Sequence, residues 1–190
     1  MDSIGNDIVD LNLAKKESNW QRKGFLEKQF TLNEQRTILK SENPFLQVWL
    51  FWSMKEAAYK CYTQKHLKRF FAPQKFECSL TSKDEGVVFF NDNKYYTTTF
   101  IDAFYIYTIA NSKLKRAKVF SSIGSPKTID KDLKQTLVDE TGISLEEIEQ
   151  RKSPIGAPLY YHEEKKLTSS CTITHHGNYG AFAFMIQNET

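Results

Sequence analysis

The sequence lacks the features that mark a secreted or membrane-spanning protein. Its three cysteines are an odd number and form no C-x-x-C pair, which favours reduced, structural thiols and a cytoplasmic protein over a disulfide framework. No apolar run approaches the ~20 residues that a membrane helix needs. Acidic residues and the absence of an apolar segment near the N-terminus do not fit a signal peptide. We therefore expect no membrane partner.

The sequence also has little net charge. The net charge is +3 and the pI is about 8.6, a mild basic excess that suits an acidic partner or a polyphosphate ligand. It is too small to indicate nucleic acid by itself. The chain of 190 residues, 40% of them hydrophobic, is long enough for one ordinary domain or for two small, tightly joined halves.

A helix beginning at Phe45 is the strongest pattern in the chain. Phe45, Trp49, Trp52, Glu56 and Lys60 recur at spacings of three and four, so they share one face. The other faces are also apolar, which is typical of a buried helix. A buried carboxylate is costly unless it is paired or binds a metal. Glu56 therefore either forms a salt bridge with Lys60 one turn later or ligates a metal.

The remaining pattern predicts helices first and antiparallel strands afterwards. We expect a short strand from Ser3 that ends by Leu13 in a loop carrying acidic residues, and a capping box at Thr31–Glu34 that opens a helix. Pro44 suits the first turn of the central helix. Four strands follow, at Phe76–Leu80, Val87–Asn91, Lys94–Phe100 and Phe104–Ala110.

A polar junction at residues 111–116 separates this half from a second one. The second half is expected to contain a strand at Ala117–Ile123, a helix at Asp130–Asp139, and a capping box at Ser144–Glu147 that opens a short helix to about Gln150. Short strands complete it, at Leu159–His162 and Ala181–Ile186.

Two motifs carry a family resemblance. The first is Ile4-Gly5-Asn6-Asp7-Ile8-Val9-Asp10-Leu11, and the second is Trp52-Ser53-Met54-Lys55-Glu56-Ala57-Ala58-Tyr59-Lys60. Alone, Asp7 would be read as a turn cap. As an ordered pair, the motifs resemble G-x-D-[IV]-[EV]-[ED] and W-[SA]-x-K-E-[AS]-x-x-K of the 4'-phosphopantetheinyl transferase superfamily. The resemblance implies transfer of a phosphopantetheine arm from coenzyme A to a serine of an apo acyl or peptidyl carrier protein, assisted by Mg2+, with no nucleic-acid partner.

The resemblance also implies an α+β fold of the 4'-phosphopantetheinyl transferase type. Two pseudo-twofold-related halves, residues 1–114 and 115–190, would each pack antiparallel strands on helices within one compact pseudo-dimer. Ile155-Gly156-Ala157-Pro158 and Ile173-Thr174-His175-His176-Gly177-Asn178-Tyr179 resemble the segments G-x-P and I-S-H-S-G-x-[YW] of larger members. There these segments precede the carboxylate motifs. Here they follow them, so the halves are expected in permuted order and the protein as a monomer.

The resemblance assigns a role to each site residue. Asp7 and Glu56 would bind Mg2+, with Asp10 adding a water-mediated contact. Glu56 or a metal-bound water would accept the serine proton. Lys60 would stabilise or protonate the leaving phosphate, and Lys55 would contact a phosphate.

His175 matches the family histidine that meets the coenzyme A phosphates. Many larger members have a lysine in G-K-P that contacts the 3'-phosphate of the adenosine; Ala157 stands there in this chain. Lys152 or Arg151 would substitute, or that phosphate would be held less tightly.

Other functions stay open at this point. Zinc binding by the adjacent His175 and His176 is disfavoured, because neighbours in a strand point to opposite faces and no third ligand is suitably spaced. The basic cluster of Lys65, Lys68 and Arg69 is either a solvated helix end or a contact for phosphate or a carrier protein. It would also suit a non-catalytic module that binds coenzyme A or single-stranded nucleic acid. A superfamily member that has lost catalysis is a further alternative.

Overall fold

The computed structural model describes residues 2–70, 72–114 and 118–187. The helices are α1 (Leu11–Glu17), α2 (Phe25–Gln29), α3 (Leu32–Lys40), α4 (Pro44–His66) and α5 (Ile129–Thr141), with 3-10 turns at Pro73–Lys75 and Leu145–Glu147. The strands are β1 (Ile4–Asp10), β2 (Glu77–Leu80), β3 (Glu85–Phe90), β4 (Asn93–Ile101), β5 (Tyr105–Asn111), β6 (Val119–Gly124), β7 (Ile148–Lys152), β8 (Pro158–His162), β9 (Lys165–Lys166), β10 (Thr168–His176) and β11 (Tyr179–Ile186). No helix in the described part of the chain is long and apolar enough to cross a membrane.

The first sheet lies against α4. Its strand order is β1-β5-β4-β3-β2, and each neighbouring pair is antiparallel. Nearly every face of α4 is apolar, so the helix is buried along most of its length. The helix backbone passes directly over Gly5 of β1, where a Cβ atom would collide with the carbonyl oxygen of Ala57. The glycine of the first motif is therefore required for this close helix–strand approach.

The second group of strands forms two small sheets. One has the order β10-β11-β6 and the other β7-β8-β9, and all pairs are antiparallel. Helix α5 packs on the first of them, placing Leu133 and Leu137 in one apolar cluster with Phe182 and Phe184. This cluster is separate from the larger core around α4.

Strand β1 is where the two groups of strands meet. It ends the first sheet, so one of its edges has no strand partner there. Side chains from outside that sheet pair with its backbone instead. Ser170 accepts a hydrogen bond from the Ile4 N–H at 3.1 Å, Gln64 donates to the Ile4 carbonyl at 3.0 Å, and Nδ1 of His176 accepts from the Asp10 N–H at 2.9 Å.

The α+β fold expected from the sequence is confirmed. Both capping boxes are present, Pro44 occupies the first turn of α4, and the four strands after α4 occur within a few residues of their expected positions. These features depend on local signals, which a sequence displays directly.

Two local expectations are wrong. Asp7 and Asp10 do not lie in a loop; both belong to β1, because pairing with β5 extends the strand through all seven residues. The helix expected to reach Gln150 is only the turn Leu145–Glu147, after which β7 pairs with β8. The junction expected at residues 111–116 and the strand start at Ala117 fall partly on 115–117, which lie outside the described residues.

Candidate functional site

Lys60 connects three elements at the centre of the site. Its Nζ donates to the Asn6 carbonyl at 2.9 Å, to Oδ1 of Asp7 at 3.1 Å and to Oγ1 of Thr174 at 3.1 Å. Asp7 and Asn6 belong to β1 and Thr174 belongs to β10, so one ammonium group joins the first group of strands to the second. The three donors of a lysine are thereby all used.

Asp7 is a buried carboxylate that forms an ion pair with Lys60. Its Oδ1 pairs with Lys60 and also accepts a hydrogen bond from Thr174 at 3.3 Å. Burial raises the pKa of Asp7, and the charge and hydrogen bond of Lys60 with the bond from Thr174 only partly offset this effect. Folding therefore holds a carboxylate in a position where its negative charge is costly.

Glu56 lies one turn before Lys60 on α4 and is a second costly carboxylate. Its pKa is raised from 4.5 to about 7: burial is the largest cause, the negative charge of Asp7 adds to it, and the positive charge of Lys60 offsets part of the rise. In the described parts of the chain no hydrogen bond or ion pair is made by Glu56. The salt bridge to Lys60 suggested by helix spacing does not form, because Lys60 turns to Asp7 instead.

Lys55 does not reach the site. Its Nζ forms a salt bridge with Glu34 at 2.7 Å and donates to the carbonyl oxygens of Pro73 and Phe76. Only 2% of the residue is exposed. With its donors used inside the fold, Lys55 ties α3 and the segment after α4 to the central helix, which argues against its assignment as a phosphate contact.

Asp10 is also held by the fold. Its Oδ1 accepts from the Leu13 N–H at 3.0 Å and caps α1, and its Oδ2 accepts from the Asn178 N–H at 3.1 Å. Burial opposes the ionised form, but these backbone donors and that of Asn12 outweigh it and lower the pKa of Asp10. Since both oxygens have structural partners, we do not retain Asp10 as a metal ligand.

The two adjacent histidines lie differently from the sequence-based assignment. Thr172, Thr174 and His176 bond to residues of β1. His175 alternates with them along β10 and is exposed. Sequence reasoning gave the site role to His175 and missed His176. The two-residue spacing between Thr174 and His176, which places both side chains on one side of a strand, is the signal that could have identified His176.

A cleft of about 260 Å³ opens beside Lys60, between the end of α4 and β10. It is lined by Tyr59, Lys60, Thr63, Gln64, Arg69, Ile155, Gly156, Ala157, Pro158, Thr172 and Ile173. Neither His175 nor Lys152 is among these lining residues, and Lys152 is exposed at the end of β7. Arg151 is occupied by salt bridges with Glu149 and Glu164.

The carboxylates of the site can be assessed as ligands for a metal ion. Among residues 2–70, 72–114 and 118–187, no cluster of three or more His, Cys, Asp or Glu side chains could hold one. Asp7 and Glu56 form a pair, and each has a pKa raised by burial, with their negative charges close enough to interact. Two carboxylates suffice for Mg2+, which keeps several waters and takes other oxygens from phosphates. The pair fits Mg2+ with a phosphate ligand, but not a metal cage made entirely of protein.

Comparison with known proteins identifies the class to which this α+β fold and its carboxylate–lysine site belong. A family profile described as the 4'-phosphopantetheinyl transferase superfamily matches residues 3–110, which contain β1 and α4. The chain belongs to this superfamily. Its membership indicates phosphopantetheine transfer in general.

Other comparisons add little detail. A solved structure of holo-[acyl-carrier-protein] synthase from Thermotoga maritima is similar at 13% identity and a TM-score of 0.46, over 84% of this chain and 82% of that one. Comparison with curated protein sequences gives no significant match.

Proposed function

We propose that this protein transfers the 4'-phosphopantetheine group of coenzyme A to a serine hydroxyl of an apo acyl or peptidyl carrier protein, with Mg2+. The observation that supports this most directly is the position of Lys60. It contacts the carboxylate Asp7 and at the same time lines the cleft. A substrate phosphate in the cleft would therefore meet the Lys60 ammonium group, which is itself bound to the Asp7 carboxylate.

Asp7 and Glu56 would hold the magnesium ion. When bound, it would supply positive charge that offsets the carboxylates and the substrate pyrophosphate. The raised pKa of each carboxylate supports this assignment, because a neighbouring dication removes the cost of ionising both.

The chain's own residues would align the reactants and move a proton. In the reaction the serine oxygen forms a bond to phosphorus, the pyrophosphate P–O bond breaks, and adenosine 3',5'-bisphosphate leaves. Glu56, or a water bound to the metal, would accept the serine proton. Lys60, held by Asn6 and Thr174, is a fixed cation for the charge that develops on the leaving phosphate.

We also propose that residues 1–114 and 115–190 act as two halves of one monomeric unit. The first sheet and the β10-β11-β6 sheet share no strand, and the cleft has walls from both halves. Three buried free cysteines support a reducing compartment such as the cytoplasm.

A mass-shift assay tests the function. The protein is incubated with coenzyme A, Mg2+ and a panel of apo carrier proteins, each paired with its serine-to-alanine variant. We expect an adduct that requires the serine, Mg2+ and Asp7. Calorimetry with coenzyme A runs alongside: Mg2+-dependent binding without any adduct would instead indicate a non-catalytic binding protein.

A further inference from the structure

One cation in the cleft has no carboxylate partner among the residues that the structure describes. Of the described residues that line the cleft, only Lys60 and Arg69 are cationic, and Lys60 is paired with Asp7. The Arg69 guanidinium donates to the carbonyl oxygen of Ile155 and lies against Gly156. Its side chain makes no ion pair within the described residues, so its positive charge is not neutralised.

The opposite wall supplies no charge of its own. Gly156 has a φ of +80° and no side chain, and Ala157 contributes only a methyl group. The open space that these small residues leave is the space that Arg69 faces, since a Cβ atom on Gly156 would lie 3.2 Å from the Arg69 guanidinium. The basic residues suggested by the sequence, Lys152 and Arg151, do not line the cleft.

The remaining polar groups of the cleft are already bonded within the protein. Gln64 bonds to the Ile4 carbonyl and to Ser170, Thr172 bonds to Asn6, and the Tyr59 hydroxyl accepts from the Phe70 N–H. Arg69 is thus the cleft group with the most spare hydrogen-bonding capacity, because a guanidinium carries five N–H donors.

We propose that Arg69 binds the 3'-phosphate of coenzyme A and makes the protein prefer coenzyme A to its 3'-dephospho form. This inference rests on the proposed function. Coenzyme A carries two separate anionic groups, a pyrophosphate and a 3'-phosphate. Lys60 is bound to Asp7, at the site proposed to receive the pyrophosphate, which leaves the 3'-phosphate for Arg69. Its planar guanidinium suits bidentate contact with a phosphate.

The test compares two ligands that differ only in that phosphate. Binding of coenzyme A and of 3'-dephospho-coenzyme A is measured by calorimetry in Mg2+ for the wild type, Arg69→Ala and Arg69→Lys. Lys68→Ala is the matched control, because Lys68 is an exposed neighbour that does not line the cleft. Lys152→Ala tests the alternative cation.

We expect Arg69→Ala to weaken coenzyme A binding about 10- to 100-fold, the usual effect of losing a hydrogen bond to a charged group. Binding of the dephospho form should stay within about twofold, Arg69→Lys should keep part of the preference, and Lys68→Ala should change neither ligand.

Equal weakening of both ligands would overturn the proposal, because Arg69 would then only tie the loop at Ile155 to α4. Loss of the preference in Lys152→Ala, but not in Arg69→Ala, would assign the phosphate to Lys152. If the wild type binds neither ligand, the proposed function fails and this inference fails with it. If the wild type binds both but Arg69→Ala leaves their ratio unchanged, only this inference fails.

Discussion

Replacing Glu56 by glutamine should stabilise the fold while removing activity. Glu56 is partly buried, lies close to Asp7, and has no hydrogen-bond or ion-pair partner among the described residues. Its ionised form is therefore unfavourable in the folded protein without metal. Glutamine has nearly the same shape and no charge, so it removes the repulsion from Asp7. It also removes the group proposed to ligate Mg2+ and to accept the serine proton.

The pKa of Glu56 sets the magnitude and the pH range. Folding raises this pKa from 4.5 to about 7, and each whole pKa step corresponds to about 1.4 kcal/mol. Because the folded-state pKa is the higher one, the stabilising contribution is complete below about pH 4.5. It is lost as the pH rises through about 7. At pH 8, Glu56→Gln should therefore add up to about 3 kcal/mol to the free energy of unfolding, or up to about 6–12 °C in Tm.

Thermal unfolding between pH 4 and pH 8, without metal, measures this effect. The difference in Tm between Glu56→Gln and the wild type should be small at pH 4 and largest at pH 8. Glu34→Gln is the matched control, since Glu34 is also buried but is paired with Lys55; its loss should destabilise the protein. A Glu56→Gln variant that unfolds earlier than the wild type at pH 8 would refute the reasoning.

Added Mg2+ provides a second readout that does not depend on activity. If Asp7 and Glu56 bind the ion, Mg2+ should raise the Tm of the wild type and reduce its pH dependence, because a ligand that binds only the folded state stabilises it. The same addition should leave Glu56→Gln nearly unchanged. Equal stabilisation of both proteins would remove Glu56 as a ligand.

The remaining predictions concern the other parts of the site. Asp7→Asn should lower transfer by about 100-fold or more at saturating Mg2+, because loss of a metal ligand costs several kcal/mol in the transition state; near-wild-type turnover would remove Asp7 as a ligand. His175→Ala should leave the KM for coenzyme A and kcat nearly unchanged, because His175 is exposed and does not line the cleft; a raised KM in steady-state kinetics would instead support the role implied by the family resemblance. His176→Ala should lower the free energy of unfolding by about 1–2 kcal/mol in chemical denaturation, because the Asp10 N–H loses its acceptor. Light scattering should find a monomer, and an obligate trimer that loses activity on dilution would contradict this.

The sequence predicts the elements better than it predicts the contacts between them. The spacing of its aromatic residues predicts helix α4, and capping residues predict the start of α3. The ion-pair partner of Lys60 could not be predicted from local patterns. Helix spacing offers Glu56 four residues earlier, but the ion pair forms with Asp7, 53 positions away on another element. Periodicity describes which face a residue shares, and it carries no information about which strand will cover that face.

The contacts of Lys55 also could not be predicted from the sequence. In the motif Lys55 is adjacent to Glu56, and this adjacency predicts that both residues act in the same site. Adjacent residues on a helix are turned by about 100° relative to each other. Glu56 therefore faces Asp7 while Lys55 points into the core, where Glu34 neutralises it. Its role is to hold α3 and the segment at Pro73 against α4, and thereby to position the turn that carries Glu56.

The site and the contact between the two halves are built from the same bonds. Strand β1 leaves an unpaired edge, and side chains of β10 and α4 cover it. Thr174 bonds to Asp7 and Lys60 at once, so the second half orients the charged groups of the first. Separation of the halves would expose the β1 edge and also release Asp7 from Thr174. Joining both halves in one chain keeps β10 at a high effective concentration next to β1. In the proposed monomer, the carboxylate pair would thus be held in place without a second subunit.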